Sequence, residues 1–173
     1  AVFGGTSFGD VGTYDRVVGK AYGQLDPADP KNAVIADLHL AQRDPATGMV
    51  PYSFDFYILK PSNPAGGKHK VFYEPPNRGG KRFNSFAGVG GGNNPGASAA
   101  DAAPAGAPYP AFLMNRGYTM VWSGWDAEPM AGTGNIRANL PMAVNPDGSP
   151  ITGPSYEYLV AGNTTTTCQT TYY

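Results

Sequence analysis

Two places in the chain set glycines directly behind a short apolar stretch, where backbone groups could do chemistry. One is Asn77-Arg78-Gly79-Gly80, which follows residues 70–74 and Pro75-Pro76; the other is Ser123-Gly124-Trp125-Asp126, which follows residues 118–123. Glycine after a strand lets N–H groups face a ligand with no Cβ in the way. Such donors stabilise the oxyanion of acyl transfer, and removing one costs about 2.7–4 kcal/mol in a known case. The same four residues also fit a tight turn carrying an exposed arginine. Trp125, bracketed by Gly124 and Asp126, reads as a substrate-facing aromatic, whereas Trp122 reads as core.

The other parts of an acyl-transfer site are not found. Gly5-Thr6-Ser7-Phe8-Gly9 has the G-x-S-x-G spacing but stands ahead of every expected strand, so it cannot be the strand-to-helix nucleophile elbow; Gly96-Ala97-Ser98-Ala99-Ala100 and Gly153-Pro154-Ser155-Tyr156-Glu157 both lack the closing glycine. His39 and His69 read as ordinary surface residues, so no catalytic residue is assigned to this chain. Gly88-Val89-Gly90-Gly91-Gly92 invites a phosphate-loop reading, but no Lys-Ser/Thr pair follows it. Lys68, Lys70, Arg78, Lys81 and Arg82 read as solvated loop charge. Asp126 and Glu128 offer a carboxylate pair with nothing to separate glycoside chemistry from loop solvation. Two histidines and the single Cys168 fit no metal-ligand spacing, and no cofactor is expected. Cys168 is a free thiol or is bonded to another chain.

These loops need elements to hold them. Residues 14–25 read as an irregular strand or strand pair, and LDPADPKN as a turn. Val34, Ala36, Leu38 and Leu40 alternate with polar residues, which predicts a half-buried strand over 34–40. After a turn at 44–48, Tyr52, Phe54, Phe56 and Ile58 form a second alternating face, expected to lie antiparallel to the first. Residues 70–74 predict a short strand halted by the two prolines. A glycine- and alanine-rich run then extends to Pro110, with one helical turn expected near 98–103. Pro110 and Gly117 bracket a short helix, and residues 118–123 are apolar enough for a central parallel strand buried on both faces. Val121 is expected to be more than nine-tenths buried. Further strands are expected near 136–144 and 156–160.

Fold class is therefore α/β and loop-rich: antiparallel leading strands over 1–60, a β-loop-α-β unit over 61–126, and extension strands over 127–173. The 173 residues form one domain, read as incomplete because the closing run GNTTTTCQTTYY carries no stop signal. Glycine (24) and proline (17) are together about twice their average usage. Charged residues are only 14%, net charge is −1 and aromatics reach 12%, which excludes a disordered polyelectrolyte and the usual basic nucleic-acid surface. No apolar run is long enough to span a membrane as a helix. A start at Ala1 and the acceptor pattern Asn163-Thr164-Thr165 fit an exported protein, although a trimmed chain would start the same way.

The segments SFGDVGTYDRVVGKAYGQLDPADPKNAVIADLHLA, PYSFDFYILKP, VFYEPPNRGGK and FLMNRGYTMVWSGWDAE resemble the N-terminal part of a bacterial α/β-hydrolase domain family, esterase-like and mostly hypothetical proteins. The likeness runs over nearly the whole chain. It implies an ester or related acyl substrate, with the loop after the third strand forming part of the oxyanion hole. On that reading Arg78 and Gly79 supply the backbone donors, and Asn77, Gly80, Trp125 and Asp126 line the substrate. The nucleophile elbow, acid and histidine would come from a C-terminal remainder or a companion polypeptide carrying G-x-S-x-G. The alternative is a non-catalytic binding or assembly module with a hydrolase-like sheet.

Overall fold

Strand β2, Val50–Pro61, is the organising element, because its alternating side chains give both faces of a sheet something to hold. The computed structural model describes residues 1–154 except Phe83, Ala131 and Thr133, and only the backbone of Ser85 and Phe86. Strand β1, Tyr14–Leu25, pairs antiparallel with β2 along its whole length, from Tyr14 opposite Pro61 to Leu25 opposite Val50. On its other side β2 pairs antiparallel with β4, Thr119–Ser123, and further along with the two-residue β5, Ala138–Asn139. Strand β3, Val71–Glu74, lies parallel to β4, giving the order β1-β2-β4-β3 in a mixed five-stranded sheet.

The expected parallel pair is therefore present, with the connection between its strands rich in loop. That connection holds one short helix, α1, Asn84–Ala87, and 3-10 turns at Ala99–Ala102 and Met114–Arg116. Ser98 and Asp101 cap the first of these turns reciprocally. The helix expected over 110–117 is reduced to the last of them, but Gly117 does end it in the left-handed conformation at φ 71°.

The core lies on one face of the sheet. Tyr57, Leu59, Met120 and Trp122 point into it and meet Ala87, Val89, Leu113 and Met114 of the crossing connection. Phe3, Phe8 and Tyr14 add a chain of edge-to-face rings with centroids 5.2 and 5.4 Å apart. The Tyr14 hydroxyl shares its one proton between the carbonyls of Met114 and Tyr118, and burial pushes its pKa up. This one side chain pins the start of β1 to the entry of β4.

Three expectations need correction. Residues 34–40 do not form a strand: Asp37 is left-handed at φ 55°, Leu38–Leu40 is a 3-10 turn, and Val34 is 90% exposed. The Asp29 side chain caps the turn Pro30–Asn32 and starts a run of tight turns that breaks the alternation. Consequently β2 pairs with β1, which is one twelve-residue strand and not a strand pair. Val121 is only half-buried, because β4 alternates: Met120 and Trp122 face the core while Val121 lies on the opposite face beside Ile58 and Tyr73. Beyond β5, the strand expected near 136–144 is represented only by isolated bridges, Ala41 with Ala143 and Val144 with Pro150. The strand expected near 156–160, Ser155, Asn163 and Cys168 lie outside the described residues.

Candidate functional site

The loops after β3 and β4 meet at one edge of the sheet. Parallel pairing of β3 and β4 puts both carboxyl ends there, and the Trp125 indole Nε1 donates to the Pro76 carbonyl at 2.7 Å. Trp125 is 56% exposed, so the ring roofs the junction with one side open to solvent.

Asn77–Gly80 is a tight turn closed by the Gly80 N–H donating to the Asn77 carbonyl at 3.0 Å. Both central residues are left-handed, Arg78 at φ 47° and Gly79 at φ 77°, as in the mirror-image turns that require positive φ at both positions. Arginine in this conformation is uncommon. The turn is held by its neighbours: Ile136 N–H donates to the Gly79 carbonyl, and a Cβ on Gly79 would stand 2.7 Å from the Ile136 carbonyl oxygen. Among the described residues, the Arg78 and Gly79 N–H groups donate to no protein acceptor. Successive N–H groups in such a turn can form an anion-binding concavity.

Asp126 accepts from the Glu128 N–H through its carboxylate and from the Ala138 N–H through its carbonyl, so it shapes the loop that carries Trp125. The carboxylate pair considered above is divided: Glu128 turns to Arg78, 2.6 Å from its guanidinium, in an exposed ion pair. Arg78, Gly79, Trp125 and Asp126 thus belong to one neighbourhood. Three cavities are lined by described residues elsewhere in the molecule, and none takes a wall from Asn77–Gly80, Trp125 or Asp126.

The residue that sequence reasoning missed is Lys81. It is not solvated loop charge; it is 4% exposed. Its ammonium donates to the carbonyls of Asn93 at 2.6 Å and Gly134 at 3.0 Å, and lies 4.8 Å from the centre of the Tyr57 ring. Its own N–H donates to the Asn93 side chain, which in turn donates to Asn135. Burial lowers its pKa to about 8, partly opposed by the nearby Glu74 carboxylate. Lys81 ties the candidate donor turn to the two segments around it. Nothing in residue type distinguishes it from Lys68 or Lys70, which are exposed.

Glu74 ends β3 inside this network, accepting from the Trp122 indole and from the Arg82 N–H. Beneath it, buried Asn84 donates to the carbonyls of Lys81 and Gly92, while its own oxygen has no hydrogen-bond partner among the described residues. The glycines at 88–92 serve packing in part: a Cβ on Gly88 would collide with the Tyr109 carbonyl, whose neighbour Ala111 is two residues on and donates to Gly88.

Neither histidine joins this edge. His39 lies in the exposed turn after Asp37, and His69 is exposed in the loop before β3. Among the described residues neither imidazole is hydrogen-bonded to a hydroxyl or carboxylate, and no group of three metal-ligating side chains gathers. Compared with family models, with curated proteins and with solved structures, the chain matches none.

Proposed function

We propose that this chain is the N-terminal segment of an α/β-hydrolase acting on an ester or related acyl substrate, and that it supplies the oxyanion-hole loop and part of the pocket wall. The Arg78 and Gly79 N–H groups are the donors in this reading, with Asn77, Gly80, Trp125 and Asp126 along the substrate. The observation that carries it is the turn itself. Two left-handed residues at the carboxyl end of a parallel strand hold N–H groups that no described residue accepts from. Ligands of open α/β sheets bind at that end. The resemblance named above gives the loop after the third strand this same role.

The nucleophile, acid and histidine come from outside this chain in the same proposal, and the sheet has room for them. In the order β1-β2-β4-β3 one edge of β3 is unpaired among the described strands. A strand added there in parallel would bring its carboxyl end, and any elbow on it, beside Asn77–Gly80. The second reading, a non-catalytic assembly module, is favoured by the same edge and by the half-open sheet face, which suit association whether or not chemistry follows.

Turnover of p-nitrophenyl acetate by the isolated chain and by the full product of its reading frame separates the two. The isolated chain should be inert. The full product should be active, and Gly79→Ala, whose Cβ would force the turn and its N–H groups out of place, should lower its kcat by up to about 10²–10³-fold with KM little changed, as large as the loss of one oxyanion donor. A full product without ester turnover would remove the hydrolase reading and leave the assembly module. Turnover by the isolated chain that is lost on His39→Ala or His69→Ala would overturn the proposal outright.

A further inference from the structure

The outer end of the β1–β2 hairpin runs well past the end of β4, and it is not solid. The tight turns of residues 30–41 fold back over it and bury Leu38 and Val50. The chain returns at 140–144 and is fastened to those turns by the Ala41–Ala143 bridge and by the Val144 N–H donating to the Leu40 carbonyl. Between these walls lies a slot of about 320 Å³, lined by Leu25, Ile35, Leu38, Val50 and Leu140 among others, with exposed Asp37 its sole charged lining residue.

An enclosed apolar cavity of about 150 Å³ takes benzene, six carbons; the slot has about twice that volume but is open on one side, so a chain of about ten carbons is what its walls can hold. It opens beside a second, wider space of about 990 Å³ that shares Tyr52, Leu140 and Pro141 with it. That space is also largely apolar, with Leu40, Pro45, Met142 and Val144 in its walls, but unlike the slot it brings in polar groups at Gln42, Arg43, Ser53 and Asn139. Arg43 is the only cationic residue lining either space among the described residues, and its guanidinium donates to the His39 carbonyl at 3.2 Å. Asp44, also at the wider space, turns its carboxylate to the Ala46 N–H and so serves its own turn. Met142 and Leu140, exposed at the junction, continue the apolar surface outward from the slot.

We infer that this slot and cleft form a binding site for a medium-chain fatty carboxylate, with the alkyl tail in the slot and the carboxylate at Arg43. The site does not depend on the ester-hydrolase reading. Its volume sets the tail length, its fastened walls make it preformed, and the single cation at its wide end sets the polarity of the head.

Titration calorimetry of the 173-residue chain with hexanoate, octanoate, decanoate and dodecanoate below micellar concentrations tests this. Affinity should rise about fourfold per methylene up to decanoate and then level off. Ala36→Phe places a ring at the slot from an exposed turn, where folding tolerates it, and should weaken decanoate at least tenfold. Arg43→Gln should weaken decanoate severalfold but leave decanol unchanged. Affinity that climbs evenly beyond dodecanoate would indicate partitioning onto apolar surface and overturn the site. So would equal binding by Ala36→Phe, no heat at millimolar decanoate, or a dimer in sedimentation whose dissociation is needed before any ligand binds. The length plateau in the unaltered chain keeps the test decisive if a variant misfolds.

Discussion

Gly79 and Lys81 stand two residues apart and set the candidate donor turn by opposite means. Gly79 does so by what it lacks: a Cβ there would meet the Ile136 carbonyl at 2.7 Å and would have to sit at φ 77°. Gly79→Ala should therefore lower stability by about 1–3 kcal/mol, read as a lower denaturant midpoint with an unchanged slope. Lys81 acts by donating to two carbonyls from inside the fold. Because burial lowers its folded pKa to about 8 from an ordinary 10.5, the unfolded chain binds a proton that the folded chain has released between those values. Stability from this group is complete above 10.5 and gone below about 8, so it rises with pH across that window. Tyr14 works the other way, since its raised pKa makes the folded phenol hold its proton longer than the unfolded one, and stability falls above pH 10. Urea midpoints should climb from pH 7.5 to 9.5 in the native chain, and Lys81→Met should flatten that climb. A native midpoint that does not climb over the range would show that Lys81 keeps its proton inside the fold.

At the scale of elements, the site depends on how β4 hands the chain to its following loop. Gly124 donates its N–H to the Asp55 carbonyl of β2, and a Cβ on it would lie 2.4 Å from the Arg137 carbonyl carbon. Arg137 in turn donates its N–H to the Asp55 carboxylate and its side chain to the Ala127 carbonyl. Backbone of β2, β4 and the segment before β5 thus converge on one glycine. Gly124→Ala should push that segment away, loosening Ile136 from Gly79 and Trp125 from Pro76 together. Hydrogen exchange should show it as lost protection at Ile136 and Ala138 with β1–β2 protection kept. At the other end of β4, Tyr14→Phe removes the one hydroxyl that two carbonyls share and should cost about 1–3 kcal/mol, visible in thermal unfolding.

For the whole molecule, a sheet covered on one face among the described residues predicts association. Val71 and Tyr73 of β3 are 64% and 49% exposed, and Val17, Ile58 and Val121 continue the same face across the sheet. Parallel strands are ordinarily covered on both faces, so this exposed face is suited to contact a second apolar surface. Val71→Lys with Tyr73→Lys should reduce concentration-dependent association in sedimentation velocity while leaving thermal stability within about 0.5 kcal/mol, because neither side chain enters the core. If association persists unchanged, the contact surface lies elsewhere, and the exposed apolar residues near Leu140 and Met142 become the next to alter.

Local pattern alone determined a good deal. The alternation of Tyr52, Phe54, Phe56 and Ile58 marks β2, the apolar run before Ser123 marks β4, and Pro75-Pro76 marks the end of β3, because each reflects backbone chemistry within a few residues. Gly117 as a helix-type cap and Trp122 as core were legible for the same reason. The glycines of the NRGG segment were legible as a turn, and the prolines before them put that turn just past the end of β3. Tertiary structure decided the rest. Alternation over 34–40 was as regular as in β2, yet long-range pairing over twelve residues with β1 outcompeted it, and the turn that Asp29 caps at Pro30–Asn32 leads straight into the tight turns of 34–40. Which face of β4 is covered depends on where a connection of more than forty residues crosses, so Val121 could not be assigned from its neighbours in sequence. Lys81 is buried because carbonyls at Asn93 and Gly134, twelve and fifty-three residues away, happen to converge on its ammonium. A residue's type states what it can bond; only the fold states what is there to bond with, and for charged groups that difference separates surface from core.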